Sequence, residues 1–504
     1  MRSQDVIATL LPGKPESCWT ATAPKTAYPK LVGSRTADVV VVGSGIVGVT
    51  AAYLLSEAGL SVTLVEARRI GRQVTGRSTA KITTQHSLIY RHLIETFDLE
   101  TAQLYADANR LGVNQIRQWV EQLGIDCAFE LKDAYVYCSS PSSIRDLEVE
   151  ANASRRVGLE ADLLDSAPLP FSTVGALRSR NQAQFNPAQY LIGLAKATRS
   201  IGARVFEATR VTGVEESDGW QLKAGGASIH AKSVVLATNL PIAGPLPYDE
   251  RTRPRSHIAM AFRIDTAAAI DGMFIGIDEP THSLRTGRDQ HGLLLVVLGS
   301  KFGTGQDGDV AKHFRNLEAW TRKNLEVGNV AWRWVNEDYD TADRVPFAGE
   351  LSEAPGLYLA TGFNAWGISN GTAAGILIAQ QILCKPPHWG LVYDPMRKAP
   401  RHFNKGGDSQ SIVHSLDDIE PGGGAVMNLG RGKIAIWKGA DGTPHAVSAS
   451  CTHKGCTLTW NNADRTWDCP CHGSIFAIDG SVIHGPAVEP LSPKKFPPSW
   501  LRKA

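Results

Sequence analysis

The pattern of apolar and polar positions divides the chain into two textures. Residues 39–42 form an unbroken run of valines, the signature of a parallel strand covered on both faces. Residues 46–58 repeat apolar positions at helical spacing, Gly59 closes that helix, and 61–65 is a second β-rich run. A long helical stretch follows at 101–123. Between about 185 and 350 strand-like runs dominate, at 234–237, 257–264 and 293–299. Residues 356–361 read as another strand, followed by a glycine-punctuated turn and an apolar helix over 372–383. The texture then changes: 385–410 carries four prolines among many polar residues and reads as a connector. Beyond 411 no long helical period survives. Short β runs at 425–429, 433–437 and 446–450, split by Gly, Asp and Asn, fit a small all-β module. The expected division is an arm at 1–36, a main body at 37–395, a linker at 396–410 and the β module at 411–504.

Composition narrows the class. The 504 residues are 43% hydrophobic and 20% charged with a net charge of +2, an ordinary globular balance with material for more than one core. No strong field favours nucleic acid or an anionic membrane, so neither is an expected partner. No run reaches the ~18 apolar residues of a bilayer helix, and the start lacks a charged segment followed by a long apolar one. The expectation is a cytoplasmic enzyme without a membrane span. Four of the eight cysteines, Cys18, Cys127, Cys138 and Cys384, are isolated and read as small buried hydrophobes. The other four, Cys451, Cys456, Cys469 and Cys471, crowd together and need a chemical explanation.

Gly43, Gly45 and Gly48 form G-x-G-x-x-G between the first strand and the first helix. The first glycine allows the turn, the second lets backbone approach a pyrophosphate, and the third lets helix and strand pack closely. Glu66 closes the second strand, where a carboxylate can accept ribose hydroxyls. Ser44, Ile46, Val47, Ala67 and Arg69 belong to the same site. Further on, VLATN places Ala237 and Thr238 at a returning strand end, and TGFNAWGISNG places Gly362, Phe363, Gly367 and Ile368 on a turn that opens a helix toward an electron-rich ring.

These pieces, with LVEARRIG and TGRSTAKIT, resemble FAD-dependent oxidoreductases of the D-amino-acid oxidase/sarcosine oxidase superfamily from about 37 to 385. The resemblance implies FAD, with Thr75, Ser78 and Thr79 near its pyrophosphate or flavin and Val211 near the adenine. It also implies a Rossmann-like α/β FAD-binding fold, assembled from 37–85, 185–240 and 340–385, interleaved with an antiparallel-sheet substrate domain (an α/β, or α+β, two-domain flavoprotein). Relatives often carry a basic residue in the glycine-rich turn to hold a substrate carboxylate, whereas Ala365 and Ser369 stand here. Arg253, Arg255 and Arg263 are substitutes, though ordinary strand or surface roles suit them better. Some relatives attach FAD through a His where Arg77 stands, so noncovalent FAD is expected.

Cys451-Thr-His453 and Cys469-Pro-Cys-His472 give C-x-H, fifteen intervening residues, then C-x-x-H. Two thiolates can hold one iron and two imidazoles the other of a [2Fe–2S] cluster. Zinc also takes Cys₂His₂, but zinc fingers keep their cysteines in one half and their histidines in the other. The layout resembles Rieske domains over about 411–491, including a Gly-Pro-Ala turn at 485–487. That resemblance implies Cys451, His453, Cys469 and His472 as ligands with solvent-exposed histidines, a Cys456–Cys471 disulfide, and a hydrogen bond from Ser474 to the cluster. Phe476 stands where respiratory homologues have a tyrosine, which implies a potential below the top of the Rieske range.

A hydride acceptor and a one-electron carrier in one polypeptide suggest a dehydrogenase. A small-molecule amine, N-methyl compound or amino acid gives hydride to FAD, and electrons leave through the cluster to an external one-electron acceptor. The alternative is a reductase component that serves a partner enzyme, with no specific organic substrate of its own. A ring-hydroxylating oxygenase lacks its iron site here. Trp366, Asn364 and His86 are the candidate catalytic residues, with His257 and Tyr339 as further polar candidates, and Asp343–Arg344 reads as a structural ion pair.

Overall fold

The computed structural model describes residues 11–399, 412–428 and 432–495. The main body holds two sheets. In the first, the valine run forms the end of strand Ser34–Val42, which pairs in parallel with Val62–Val65 on one side and Ala227–Leu236 on the other. Leu357–Thr361 extends the sheet in parallel beyond Ala227–Leu236. Val39 to Val42 are buried, as strands covered on both faces must be, and each contributes on the order of 2 kcal/mol of burial. Helix Ile46–Glu57 follows directly and packs on helix Ser369–Ile382, so both ends of the nucleotide fold meet on one face.

The second sheet is nine-stranded and mostly antiparallel, and strand Val330–Thr341 forms one edge. That edge strand pairs with Thr252–Arg263 along nearly its whole length. Its residues 336–338 are Asn, Glu and Asp, which disguise a strand in the sequence pattern. Helices Pro187–Ser200 and Val310–Asn324 also interrupt the region expected to be mainly β. The C-terminal module has two four-stranded sheets, the second built from the hairpins that carry the cysteine motifs.

Three expectations need amending. The N-terminal arm is partly core: Cys18 and Trp19 are buried in helix Cys18–Thr22, and the Trp19 indole N–H donates to Ser78 O at 2.9 Å. Residues 1–10 of that arm and 400–410 of the linker lie outside the described residues. The linker's first residues are held to the body, because Arg397 pairs with Asp343 at 2.9 Å. That pairing replaces the expected Asp343–Arg344 contact. Arg344 follows directly in a turn with φ +60°, while Arg397 reaches the buried carboxylate and stacks 3.9 Å over Phe347.

Candidate functional site

A long cleft runs between the two sheets of the main body. At one end, Gly43 turns at φ +102°, where an added Cβ would lie 2.4 Å from Ala237 O. An added Cβ on Gly48 would meet Gly43 O at 1.9 Å, which is the close packing its position requires. Gly45 differs: its missing Cβ points to open cleft, with only Thr75 Oγ1 within reach at 3.5 Å. That leaves bare backbone at a helix start, the surface a pyrophosphate needs. Glu66 is buried and held from three sides: Ser44 N–H and Oγ–H donate to Oε2 at 3.1 and 2.7 Å, and Arg68 N–H donates to Oε1 at 2.8 Å. Arg69 lines the cleft, but its guanidinium pairs with buried Glu207 at 2.7 Å. Every residue expected around FAD lines this cleft except Gly48 and Gly362, which face packing contacts instead. The residues present therefore fit FAD.

At the other end lies the turn preceding helix Ser369–Ile382. Trp366 lines the cleft, with its ring stacked on His86 at 4.8 Å. Both His86 nitrogens are engaged: Nδ1 with Tyr105 Oη at 2.7 Å, and Nε2 with Thr83 O at 2.9 Å and Ser369 Oγ at 3.0 Å. Burial holds its pKa down to about 3, so the ring is neutral and steadies Trp366 rather than offering a free base. Asn364 turns away from the cleft. Its Oδ1 accepts from Thr341 N–H at 3.0 Å and its Nδ2 donates to Thr341 Oγ1 at 3.1 Å, fastening the turn to the edge strand. His257 is buried one strand further in, outside the cleft lining. Arg255 binds Asp340 at 2.7 Å and Arg263 binds Asp289 at 2.6 Å, while Arg253 reaches Gln306 at 3.3 Å, so all three arginines have structural partners.

Sequence reasoning missed the cleft residues Asn336, Asp338 and Lys81. Asp338 Oδ2 accepts from Ala365 N–H at 2.5 Å and Oδ1 from Tyr339 N–H at 2.9 Å; burial raises its pKa to about 6. Lys81 Nζ donates to Phe274 O at 2.7 Å and contacts Ser283 Oγ. Burial, helped by Arg285, brings that ammonium down to about 7. Residues 336–338 are polar without alternation, so no sequence signal marks Asn336 and Asp338 as cleft residues.

In the C-terminal module, Cys451 and Cys469 are buried, unbridged thiols, while Cys456 and Cys471 form a disulfide. Cys469 lies close enough to share a proton with Cys451 and pulls it toward thiolate; the Ser474 hydroxyl assists. His453 and His472 lie edge to face, 5.0 Å apart, and the Nδ1 atom of each is buried without a partner. Two buried thiols and two orphaned imidazole nitrogens, one of each on either loop, are the donor set a [2Fe–2S] cluster requires. The histidines are not solvent-exposed as expected. Their side chains are 20% and 14% exposed, and both Nε2 atoms face Asp249 of the main body, at 3.7 and 3.6 Å. Lys454 completes the group at 2.5 Å from the same carboxylate. Asp249 left no sequence signal, because only the docking of two distant segments brings it there.

The two centres share one wall. Even-numbered Asn336 and Asp338 of the edge strand line the cleft, and odd-numbered residues meet the C-terminal module. Arg333 donates to Ala463 O at 3.2 Å, Glu337 lies 3.4 Å from His484, and Tyr339 Oη–H donates to His472 O at 3.0 Å. Around the strand's edge, Ile483, His484, Gly485 and Val488 reach the cleft itself. Arg77 seals the seam through Asp464 at 3.1 Å.

This architecture is that of a flavoprotein oxidoreductase fused to an iron–sulfur module. The FAD dependent oxidoreductase family profile matches residues 38–381 and the Rieske [2Fe-2S] domain profile residues 409–497, and the chain belongs to that oxidoreductase family, with FAD and a Rieske cluster as its cofactors. Among individual proteins, it is 30% identical over 497 residues to Bacillus subtilis YhfW, whose name assigns it provisionally to the Rieske 2Fe-2S iron–sulfur proteins; 95% of this chain and 97% of that one are covered. Escherichia coli gamma-glutamylputrescine oxidoreductase is 25% identical over 378 residues, covering 72% of this chain and 88% of the relative. The main body has the fold of glycine oxidase from Geobacillus kaustophilus, with a TM-score of 0.61 and 19% identity, covering 72% of this chain and 99% of that one. Among the described residues, no helix is long and apolar enough to cross a membrane.

Proposed function

We propose that the protein is a dehydrogenase for a C–N bond in an amine, N-methyl compound or amino acid, and that its electrons leave singly through the Rieske module to an external acceptor. When bound, FAD accepts hydride from a carbon bearing nitrogen, and the cluster passes electrons one at a time. The substrate's C–N bond becomes C=N, with loss of two electrons and two protons in all. One observation carries the reading: main-body and Rieske residues line a single cleft, and one strand separates that cleft from the loop of His472. Trp366, steadied by neutral His86, shapes the end where a reacting carbon must be aligned. Ile483, His484, Gly485 and Val488 of the Rieske module add to the lining of the same cleft. The named activity of the gamma-glutamylputrescine relative supports a nitrogen compound as substrate.

The test is anaerobic titration of the holoprotein with a panel of amines, N-methyl compounds and amino acids, following flavin and cluster absorbance separately. Flavin bleaching followed by cluster reduction is expected. Bleaching only by a reduced nicotinamide or a reduced partner protein overturns the proposal and favours a reductase component.

A further inference from the structure

Resting on the C–N reading, we infer that the substrate end of the cleft is built to hold an organic cation, a protonated amine without a neighbouring carboxylate, with Asp338 as its anchor and Asn336 as a second acceptor. Both residues project from the cleft face of the edge strand, beside the turn of Ala365 and Trp366. Asp338 is buried, spends its carboxylate on two backbone N–H groups, and makes no ion pair among the described residues. Asn336 is 6% exposed, and its Oδ1 is buried without a partner. An unmet acceptor beside a buried negative charge stabilises a donor cation, and an ammonium brings three N–H groups.

The cations nearby are committed elsewhere. Arg255 lies opposite Asp338 in register and its charge favours the Asp338 carboxylate, but its guanidinium pairs with Asp340 at 2.7 Å and the residue is outside the cleft lining. Lys81 lines the cleft, but its Nζ donates to two neutral acceptors, Phe274 O at 2.7 Å and Ser283 Oγ, and burial favours its uncharged form. Arg68, Arg69 and Arg210 belong to the nucleotide end with Glu66, where Arg69 pairs with Glu207. The flavin-side turn offers Ala365 and Ser369 rather than a base. Among the described residues lining the cleft, no cation beside Asp338 is both charged and exposed to receive a substrate carboxylate, which would face Asp338 instead, an arrangement that costs binding energy.

The test uses FAD-loaded full-length protein and three probes that share a tert-butyl group and differ in charge: tert-butylammonium, pivalate and tert-butanol. None has a C–H beside nitrogen, so binding is read from the perturbed flavin spectrum without turnover. A failed substrate panel therefore leaves this result intact, and the reverse also holds. Tert-butylammonium is expected to bind at least roughly tenfold more tightly than either other probe. Asp338→Asn should remove most of that preference, and Asn336→Leu should weaken the ammonium severalfold while leaving tert-butanol little changed. Pivalate binding as tightly as the ammonium in wild-type protein, or an ammonium preference that survives both substitutions, overturns the inference.

Discussion

The two faces of strand Val330–Thr341 carry different chemistry on one backbone. The even face offers a polar cleft: Asn336 with an unmet acceptor and Asp338 anchored only by N–H groups. The odd face is a closed joint, where Arg333, Glu337 and Tyr339 each meet a named group of the Rieske module. An edge strand ordinarily risks pairing with other chains. Here Lys14 bridges to Trp332, the Asn364 turn covers Tyr339 O, and the module covers one face. The period of two thus turns neighbouring residues toward the cleft and toward the Rieske module, and the faces should respond differently to substitution.

The largest effect is expected on the closed face. Gly473 sits at φ +69°, and an added Cβ would lie 2.2 Å from Glu337 Oε1 and 2.8 Å from Pro254 Cβ. The left-handed backbone alone costs about 1–2 kcal/mol, and overpacking adds a comparable amount. Gly473→Ala should lower stability by about 3 kcal/mol and loosen the cluster loop, read as a lower melting temperature and lower iron content. Gly45→Ala, facing the open cleft, should fold normally but retain FAD poorly. Equal damage to folding from both would break the contrast between open and closed sites.

The nucleotide half was legible because its chemistry is local. Gly43 to Gly48 and Glu66 lie within one strand–helix–strand unit, and the Rieske ligands lie on two short hairpin loops. What escaped depends on long-range docking. Asp249 meets His453 only across the joint, and His484 joins the cleft only because the module folds over it. The edge strand escaped because its middle is Asn336-Glu337-Asp338, polar on both faces. Proximity in sequence puts Asn364 at the reacting end, whereas its positive φ of 54° swings the side chain back to Thr341.

On the even face, Asp338 sets a pH signature. Its folded pKa of about 6 exceeds the ordinary 3.8 because burial disfavours the charge. The folded protein therefore holds this proton more tightly than the unfolded chain does. The penalty for ionisation is complete above about pH 6 and fades as pH falls toward 3.8. Two pKa units correspond to about 3 kcal/mol, so Asp338→Asn should stabilise the protein by up to about that amount at alkaline pH and by almost nothing near pH 4. Urea unfolding across that range measures it. A difference independent of pH would show that this carboxylate is not the buried charge described.

A smaller effect returns to the odd face. Tyr339→Phe removes the hydrogen bond to His472 O at 3.0 Å, worth about 1 kcal/mol. Cluster reduction should then lag flavin reduction severalfold more than in wild type, read by stopped-flow absorbance. An unchanged lag would mean that this contact is not part of the coupling between the centres.

The smallest expected effect lies where the main body touches the cluster histidines. A carboxylate 3.6–3.7 Å from both Nε2 atoms favours the more positive, oxidised cluster, and Lys454 offsets part of its field. Asp249→Asn should therefore raise the reduction potential. Unit charges a few ångströms apart interact by about 1 kcal/mol in a water-like medium. The change should be a few-fold shift in the reduction constant, no more than about 40 mV for one electron. Phe476, fully buried and without a hydroxyl, acts in the same direction from within the module, so Phe476→Tyr should add to the rise. Spectroelectrochemical titration of both variants separates the two contributions. A potential that responds to Phe476→Tyr but not to Asp249→Asn would make the docking face a mechanical joint only, and the main body would then hold the cluster in place without setting its energy.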